Sequence, residues 1–189
     1  MTGDALEEVQ DYLASHYFGK YRGTVAGNVD DTDRGRLEVQ VPAVLGAAVV
    51  WALPCVPYAG AGVGFYALPE PGTAIWVEFE AGDPSFPVWS GCFWADNELP
   101  DTGGAAVKIL KTAKGTLRVD DGPGDVLVGN DRDSAVTLAG EATIEAAAGG
   151  GTARHVVGGS GVKSESGGGG TVDVNGPGVS VNNGALEVG

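Results

Sequence analysis

Basic residues are scarce in this sequence of 189 residues, which carries 25 acidic and 11 basic side chains and a formal net charge of −14. This charge argues against binding of a nucleic-acid backbone, and it rules out a basic helix that binds an anionic membrane surface, since both need a positive field. No apolar run approaches the ~20 residues of a membrane-spanning helix. The first residues, MTGDALEEVQ, lack the basic start and the apolar stretch of a signal peptide, so we expect cytoplasmic assembly without Sec export.

Residue types that carry chemistry are also sparse. Cys55 and Cys92 lack the CxxC spacing of zinc or redox sites, which favours buried free thiols over a disulfide. His16 and His155 are far apart in the sequence, and neither a nucleophile motif nor a phosphate-binding loop accompanies them. The Asp-rich loop 30–35 lacks the ligand spacing of an EF-hand. We therefore expect no catalytic site, no cofactor, no metal site and no enzyme activity.

Aromatic residues are absent from the second half of the chain. All 14 lie between Tyr12 and Trp94, whereas residues 103–189 hold 21 of the 33 glycines and no aromatic. Because Phe, Tyr and Trp bury the largest areas, such a segment cannot build an ordinary core by itself. It is either disordered or it gains its core from other chains. For residues 149–170, which are the richest in glycine, disorder and an irregular loop stay open as alternatives.

The N-terminal residues have the pattern of an amphipathic helix. Leu6, Val9, Leu13 and Tyr17 recur at helical spacing, and acidic residues occupy the first turn, where they favour the helix dipole. We predict a helix over residues 4–17. Its apolar stripe packs either on its own domain or on a partner protein.

The next segment has the pattern of short strands. Apolar and polar residues alternate with a period of two, and Asp, Pro and Gly turns separate the strands. The predicted strands are 22–29, 36–41, 74–80 and 86–91, with one more within 44–68. Five strands in so short a segment favour a small closed barrel, because closure removes exposed sheet edges.

These strands and turns carry motifs that resemble the OB-fold domain of contractile-tail spike proteins. This family includes phage baseplate assembly protein V, the cell-puncturing spikes of contractile phages and the VgrG-like spikes of type VI secretion. The resemblance covers about residues 20–100. The motifs are Gly23-Thr24-Val25, Gly35-Arg36-Leu37-Glu38-Val39-Gln40-Val41-Pro42, Trp51, Pro69-x-Pro71-Gly72 and, most specific, Phe79-x-x-Gly82-Asp83-Pro84-x-x-Pro87-Val88 followed by Gly91.

The remaining residues show short apolar pairs at regular intervals, the pattern of a β-solenoid or prism. The pairs are Leu117/Val119, Val126/Val128 and Val136/Leu138, then Ile144, and later Val172/Val174, Val179/Val181 and Leu186/Val188. Two small aliphatics per strand cannot offset a backbone ordering entropy of roughly 1–2 kcal/mol per residue. Three copies around one axis can, and the resemblance implies this homotrimer. We expect its core at Leu117, Val119, Val126, Val128, Val136, Leu138 and Ile144.

The predicted organisation is mainly β: an N-terminal helix (1–19), a five-stranded OB-fold barrel (20–100) and a Gly-rich trimeric β-helix or β-prism spike (101–189). The resemblance implies a non-enzymatic spike in the baseplate of a phage tail, tailocin or other contractile injection system, which punctures the target envelope on sheath contraction. The alternative is an OB-fold module that binds oligosaccharide or nucleic acid and carries a disordered tail; the acidic charge disfavours nucleic acid.

The resemblance also implies partners. Since the family's barrels sit on a trimeric hub, we expect a separate hub protein here, contacted by Leu6, Val9 and Leu13. The family's iron-binding H-x-H tip is not matched, because His155 has no second histidine nearby. Three copies of His155 meeting on an axis stay a weaker alternative. We expect a PAAR-like cap on the tip, contacting Val181, Leu186 and Val188, and only transient contact with the target cell envelope.

Overall fold

The computed structural model describes residues 3–188, without the side chains of Asp4, Ala148, Glu187 and Val188. The chain divides into two compact units, one that ends at Glu98 and one that begins at Leu99. Helix α1 spans Gly3–Ser15, close to the predicted range, and a one-turn helix α2 spans Pro42–Leu45. The strands are β1 Tyr21–Gly27, β2 Leu37–Gln40, β3 Val49–Pro54, β4 Ala59–Gly60, β5 Val63–Gly64, β6 Ala74–Phe79, β7 Pro87–Cys92, β8 Val107–Lys111, β9 Gly115–Asp120, β10 Asp125–Asn130, β11 Ala135–Leu138, β12 Ala142–Ala148, β13 Gly151–Gly158, β14 Gly161–Glu165, β15 Thr171–Asn175, β16 Gly178–Val181 and β17 Leu186–Val188.

The first unit contains the closed five-stranded barrel that the sequence predicted. Its strand order is β1-β2-β3-β7-β6, and β6 pairs with β1 to close the sheet. All pairs are antiparallel except β3 with β7, which run parallel. The strand predicted only within 44–68 is β3, and the same stretch also forms the short β4–β5 hairpin. The mainly β class and the barrel are therefore confirmed.

The barrel core follows from the alternation along the strands. In β6, every second residue is buried, and the residues between them are half-buried on the outer side. Nine apolar side chains form the enclosed centre: Val25, Leu37, Val39, Val41, Ala52, Ile75, Val77, Phe79 and Trp89. Leu37 is fully excluded from solvent. A closed sheet thus encloses a core within this single unit.

The loop between β1 and β2 is organised by one carboxylate. The Asp30 side chain is only 3% exposed and accepts hydrogen bonds from the Arg36 guanidinium (2.7 Å from Nη2, 3.1 Å from Nε). It also accepts from the Thr32 hydroxyl (2.7 Å) and from the backbone N–H groups of Thr32, Arg34 and Arg36. The Arg36 guanidinium lies 4.7 Å from the centre of the Trp51 ring. The Asp-rich loop is therefore held by its first carboxylate and is more ordered than a solvated turn.

The second unit is one antiparallel sheet of ten strands, β8 to β17, in which each strand pairs with the next along the chain. The short apolar pairs of the sequence therefore lie on neighbouring strands. Glycine allows the two-residue connection between β12 and β13, where Gly149 and Gly150 have φ values of 60° and 86°. Two consecutive positive φ values are typical of a type I′ hairpin turn. The Gly-rich stretch 149–170, whose order the sequence left open, thus contains β13 and β14.

Replacing Leu37 with Ala should lower the free energy of unfolding of the barrel by about 2–5 kcal/mol, because it opens a cavity in the core. Urea unfolding followed by Trp fluorescence measures this directly, since all four Trp residues lie in the barrel unit. The control is Val29→Ala, whose side chain is 78% exposed and whose effect should stay within about 0.5 kcal/mol. Equal effects of the two substitutions would contradict the assignment of the core.

Asp30 should make the barrel sensitive to acid. The Arg36 guanidinium holds the pKa of the Asp30 carboxyl far below its usual range. Because the folded pKa is lower than the unfolded value of about 3.9, the stabilisation is complete above about pH 5 and is lost progressively as the pH falls below the unfolded pKa toward the folded pKa. Asp30→Asn should lower the melting temperature at pH 7 and reduce its fall between pH 5 and pH 3. Asp31→Asn, at an exposed neighbour, should retain the wild-type pH profile.

Candidate assembly surfaces

One face of the ten-stranded sheet is almost entirely aliphatic. Residues directly opposite each other in antiparallel strands share a face, so the register defines two columns of side chains, here called the apolar face. One column is Leu110, Leu117, Val128, Val136, Ile144, His155, Ser164, Val172, Val181 and Leu186; the other is Lys108, Val119, Val126, Leu138, Ala142, Val157, Val162, Val174 and Val179. All seven predicted trimer-core residues lie on it.

The apolar face is uncovered within the described part of the unit. Val128 and Leu138 are each 51% exposed, and Ile144 is 53% exposed. The half of their surface that is buried is covered by neighbours in the same sheet. A contiguous apolar surface of this extent marks a site of interaction in a soluble protein.

The opposite face of the sheet, here called the polar face, carries Thr, Asp, Glu, Arg and Lys together with the aliphatic Ile109, Leu127 and Val156. Arg154 pairs with Glu145 (3.1 Å), and Lys163 with Glu165 (2.5 Å), where Lys163 lowers the pKa of the Glu165 carboxyl. These side chains are roughly 35 to 45% exposed, so each pair contributes little to stability. These charged side chains favour exposure of the polar face to solvent.

Two polar residues interrupt the apolar face at mid-length. His155 on β13 lies opposite Ser164 on β14, and the two side chains hydrogen-bond through Nδ1 and Oγ at 2.8 Å. Neither residue belonged to the predicted core, and neither did the aliphatic Val157 and Val162 beside them. The sequence around His155/Ser164 and Val157/Val162 does alternate with the period of a strand, but the many glycines nearby made this pattern hard to recognise.

The residues predicted to meet a cap lie at the end of the sheet. β17 is an edge strand that pairs only with β16, where Val181 lies opposite Leu186 and Val179 opposite Val188. Leu186 is 59% exposed. The Val188 side chain lies outside the described residues. An uncovered edge of this kind can accept a further strand.

The residues predicted to meet a hub lie along α1. Leu6, Val9 and Leu13 are 57%, 52% and 60% exposed. These three side chains thus face solvent, whereas Tyr17, the fourth residue of the stripe, packs against the barrel core, so the alternative in which the stripe packs on its own domain holds for Tyr17 alone.

The barrel has a cavity of about 440 Å³ beside the β4–β5 hairpin. Pro54, Val56, Tyr58, Phe65, Leu68 and Trp89 contribute apolar walls, and Asp33 and Arg34 are its charged lining residues. Among the residues that the structure describes, no three His, Cys, Asp or Glu side chains lie close enough to hold a metal ion together.

Both cysteines are free thiols, as predicted, but they are exposed. The prediction of burial was wrong because Cys92 is the last residue of β7, beyond an irregularity in the pairing of β7 with β6, where the strand ends and leaves the side chain exposed. Cys55 follows β3 directly, in the outward position.

Within residues 3–188, no helix has the length and apolar character needed to cross a membrane.

The barrel has a match among known families. Residues 21–94 match the family described as the type VI secretion system and phage-baseplate injector OB domain. This segment begins with β1 and ends just after β7, so the match covers the whole barrel, and the resemblance seen in the motifs is confirmed. No curated protein shows a significant match to the chain.

Proposed function

We propose that this chain, whose residues 21–94 form a baseplate-injector OB domain, is the non-enzymatic trimeric spike of a contractile injection system. The observation that carries the proposal is the apolar face, which continues across ten strands and has no cover within its own described unit. The OB domain supports a structural role in a baseplate. The sheet that follows it supplies the surface for self-assembly.

Three copies explain the composition of the sheet. With two aliphatic columns per chain, three sheets that turn their apolar faces toward a common axis enclose a continuous core of Val, Leu and Ile. Each Å² of apolar surface that becomes buried contributes about 25 cal/mol to the free energy of association. Half-exposed aliphatic side chains repeated along ten strands therefore give a large stabilisation of the assembled state. Aromatic residues are too bulky for so narrow an interior. Their absence after Trp94 supports this arrangement.

The proposed mechanism is mechanical. Sheath contraction drives the tube forward, and a narrow spike at its end concentrates the force on the target envelope. Stiffness comes from the backbone hydrogen bonds that join all ten strands in series. At a spacing of about 4.8 Å, nine intervals extend the sheet over roughly 43 Å. The charged polar face keeps the spike in solution before firing.

The assembled spike needs partners at its two ends. We propose a separate hub protein that α1 contacts, and a PAAR-like cap that pairs with the β17 edge and covers Val181, Leu186 and Val188. These partners place the protein in the assembled tail or injection particle, where its contact with the target cell envelope is transient.

The oligomeric state can be tested with matched substitutions on neighbouring strands. Light scattering of the wild type should give three times the 19.0 kDa chain mass. Val128→Asp places three carboxylates in the proposed core and should convert the trimer into monomers at micromolar concentration, since burying unpaired charges costs several kcal/mol. Thr137→Asp on the polar face, opposite Leu127, should remain trimeric. A monomeric wild type, or equal effects of both substitutions, would contradict the proposed core.

The cap can be tested by truncation. Full-length chain should capture a co-expressed PAAR-like protein from the same gene cluster, whereas a chain that ends at Gly178 should not, because the edge provided by β16 and β17 is then missing. Light scattering of the truncated chain checks that the trimer persists. Equal capture by both chains would remove the basis for a docked cap.

A further inference from the structure

The apolar face is built almost entirely of aliphatic side chains, and such a surface does not by itself determine how copies of the chain align. Neighbouring strands lie about 4.8 Å apart, so the two aliphatic columns repeat at this interval along the sheet. A second copy displaced by one hairpin, or about 10 Å, would still place aliphatic side chains against aliphatic side chains. Burial therefore favours assembly without selecting one register of the chains.

Two polar side chains break this uniformity. His155 on β13 and Ser164 on β14 lie next to each other in the first column, between Ile144 and Val172. Their neighbours in the second column are aliphatic as well. Any cover that buries the apolar face must therefore bury this polar pair among aliphatic side chains.

The other polar residue of the apolar face is already paired within its own chain. Lys108 lies on β8, the first strand of the sheet, where its Nζ forms an ion pair with Asp121 and donates to the carbonyl oxygens of Ala105 and Ala106. It therefore makes no comparable demand on a cover.

The His155/Ser164 pair is only partly satisfied within one chain. His155 Nδ1 and Ser164 Oγ are 2.8 Å apart, and neither side chain makes another hydrogen bond to the described residues. A neutral imidazole has one donor and one acceptor nitrogen, and a hydroxyl group both donates and accepts. The ring nitrogen Nε2 and one function of the hydroxyl are thus left over. Because a buried polar group without a partner is destabilising, the cover must supply a partner at this level of the sheet.

We propose that His155 and Ser164 fix the register of the three chains, by closing a ring of hydrogen bonds with the same pair of the neighbouring copies. The inference rests on the proposed function for the trimer itself. The partner that it assigns to the polar pair is a second copy of the same pair, because three copies satisfy one another completely.

The hydrogen bonds of this ring balance for either tautomer of the imidazole. With the ring proton on Nδ1, His155 donates to Ser164 of its own chain, and the Ser164 hydroxyl donates to Nε2 of the next copy. With the ring proton on Nε2, each of these hydrogen bonds runs in the opposite direction. Three copies thus form six hydrogen bonds in which every donor has an acceptor.

A displaced copy breaks the ring. A shift by one hairpin would place each polar pair against Val, Leu or Ile, and would leave Nε2 and the hydroxyl without partners. A single polar position in an otherwise apolar coiled-coil interface specifies register in the same way, and it does so at a cost in stability. The pair is therefore expected to contribute specificity rather than stability.

The register can be measured with one spin label on each full-length chain. The exposed thiols are removed by Cys55→Ser and Cys92→Ser, and Arg132→Cys places the label on the exposed turn between β10 and β11. Pulsed electron paramagnetic resonance then measures the distances between the labels of one assembly, and light scattering gives the number of chains. A threefold assembly gives one distance. A chain displaced by one hairpin moves its label about 10 Å along the axis and adds a second, longer distance.

The wild-type pair should give the single distance, and removal of the pair should lose it. His155→Val with Ser164→Val should remain trimeric with an equal or higher melting temperature, because aliphatic replacements of buried polar groups are often neutral or stabilising. This double variant should show at least two distances. His155→Val alone should lower the melting temperature by at least about 3 °C, since the Ser164 hydroxyl loses its partner.

Two control variants separate register from packing. Val157→Ala with Val162→Ala, beside the pair on the same face, should lower the melting temperature through lost apolar contact and retain the single distance. Ser164→Thr retains the hydroxyl and should retain the single distance as well.

The outcomes separate this inference from the proposed function. A wild type that is not trimeric overturns the proposed function and the ring with it. A trimeric wild type with several distances, or a double Val variant that retains the single distance, overturns the ring alone and leaves the trimer standing. Dissociation of the double Val variant would make the pair a source of affinity, which also overturns its role in register. Loss of the wild-type distance on dialysis against EDTA would assign His155 to a metal ion and overturn the hydrogen-bonded ring.

Discussion

An apolar sheet face needs a cover, and this requirement organises the second half of the molecule. Neighbouring strands of a sheet bury only the sides of each other's side chains, which leaves Val128, Leu138 and Ile144 about half exposed. The other face carries most of the charged side chains of the sheet, among them Arg154, Glu145, Lys163 and Glu165. A single ten-stranded sheet has no second layer, so the cover has to come from outside its own described unit. The self-assembly that we propose would follow directly from how the side chains alternate.

The barrel meets the same requirement differently. Its sheet closes on itself, so nine side chains from facing strands cover one another within one unit. It can use Phe79 and Trp89 because a closed barrel has a centre wide enough for rings. The sheet of the second unit contains no aromatic at all. The contrast in composition thus reflects two ways to bury a strand: closure within one chain and, as we propose, closure among three.

The turns between strands depend on specific side-chain hydrogen bonds and on glycine. Asp30 accepts hydrogen bonds from Thr32, Arg34 and Arg36, and this one carboxylate holds the loop between β1 and β2. Gly149 and Gly150 adopt the left-handed conformations that join β12 to β13. Such turns set the register, and the register decides which face each side chain joins. A slip of one residue would place charges among the aliphatics.

Much of this protein was predictable because its patterns are local. The spacing of Leu6, Val9 and Leu13 is enough to predict a helix, alternation is enough to predict the barrel strands, and the Phe79 to Gly91 motif is enough to suggest the family of the barrel. The tertiary structure decided what depends on pairing across the chain. Strand register put His155 beside Ser164 and brought Val157 and Val162 onto the apolar face, where the glycines had obscured them. It left Cys92 exposed at the end of β7, and it enclosed Asp30 against Arg36. Periodicity is a property of a few consecutive residues, whereas register and enclosure are set by turns and partners that lie elsewhere in the chain.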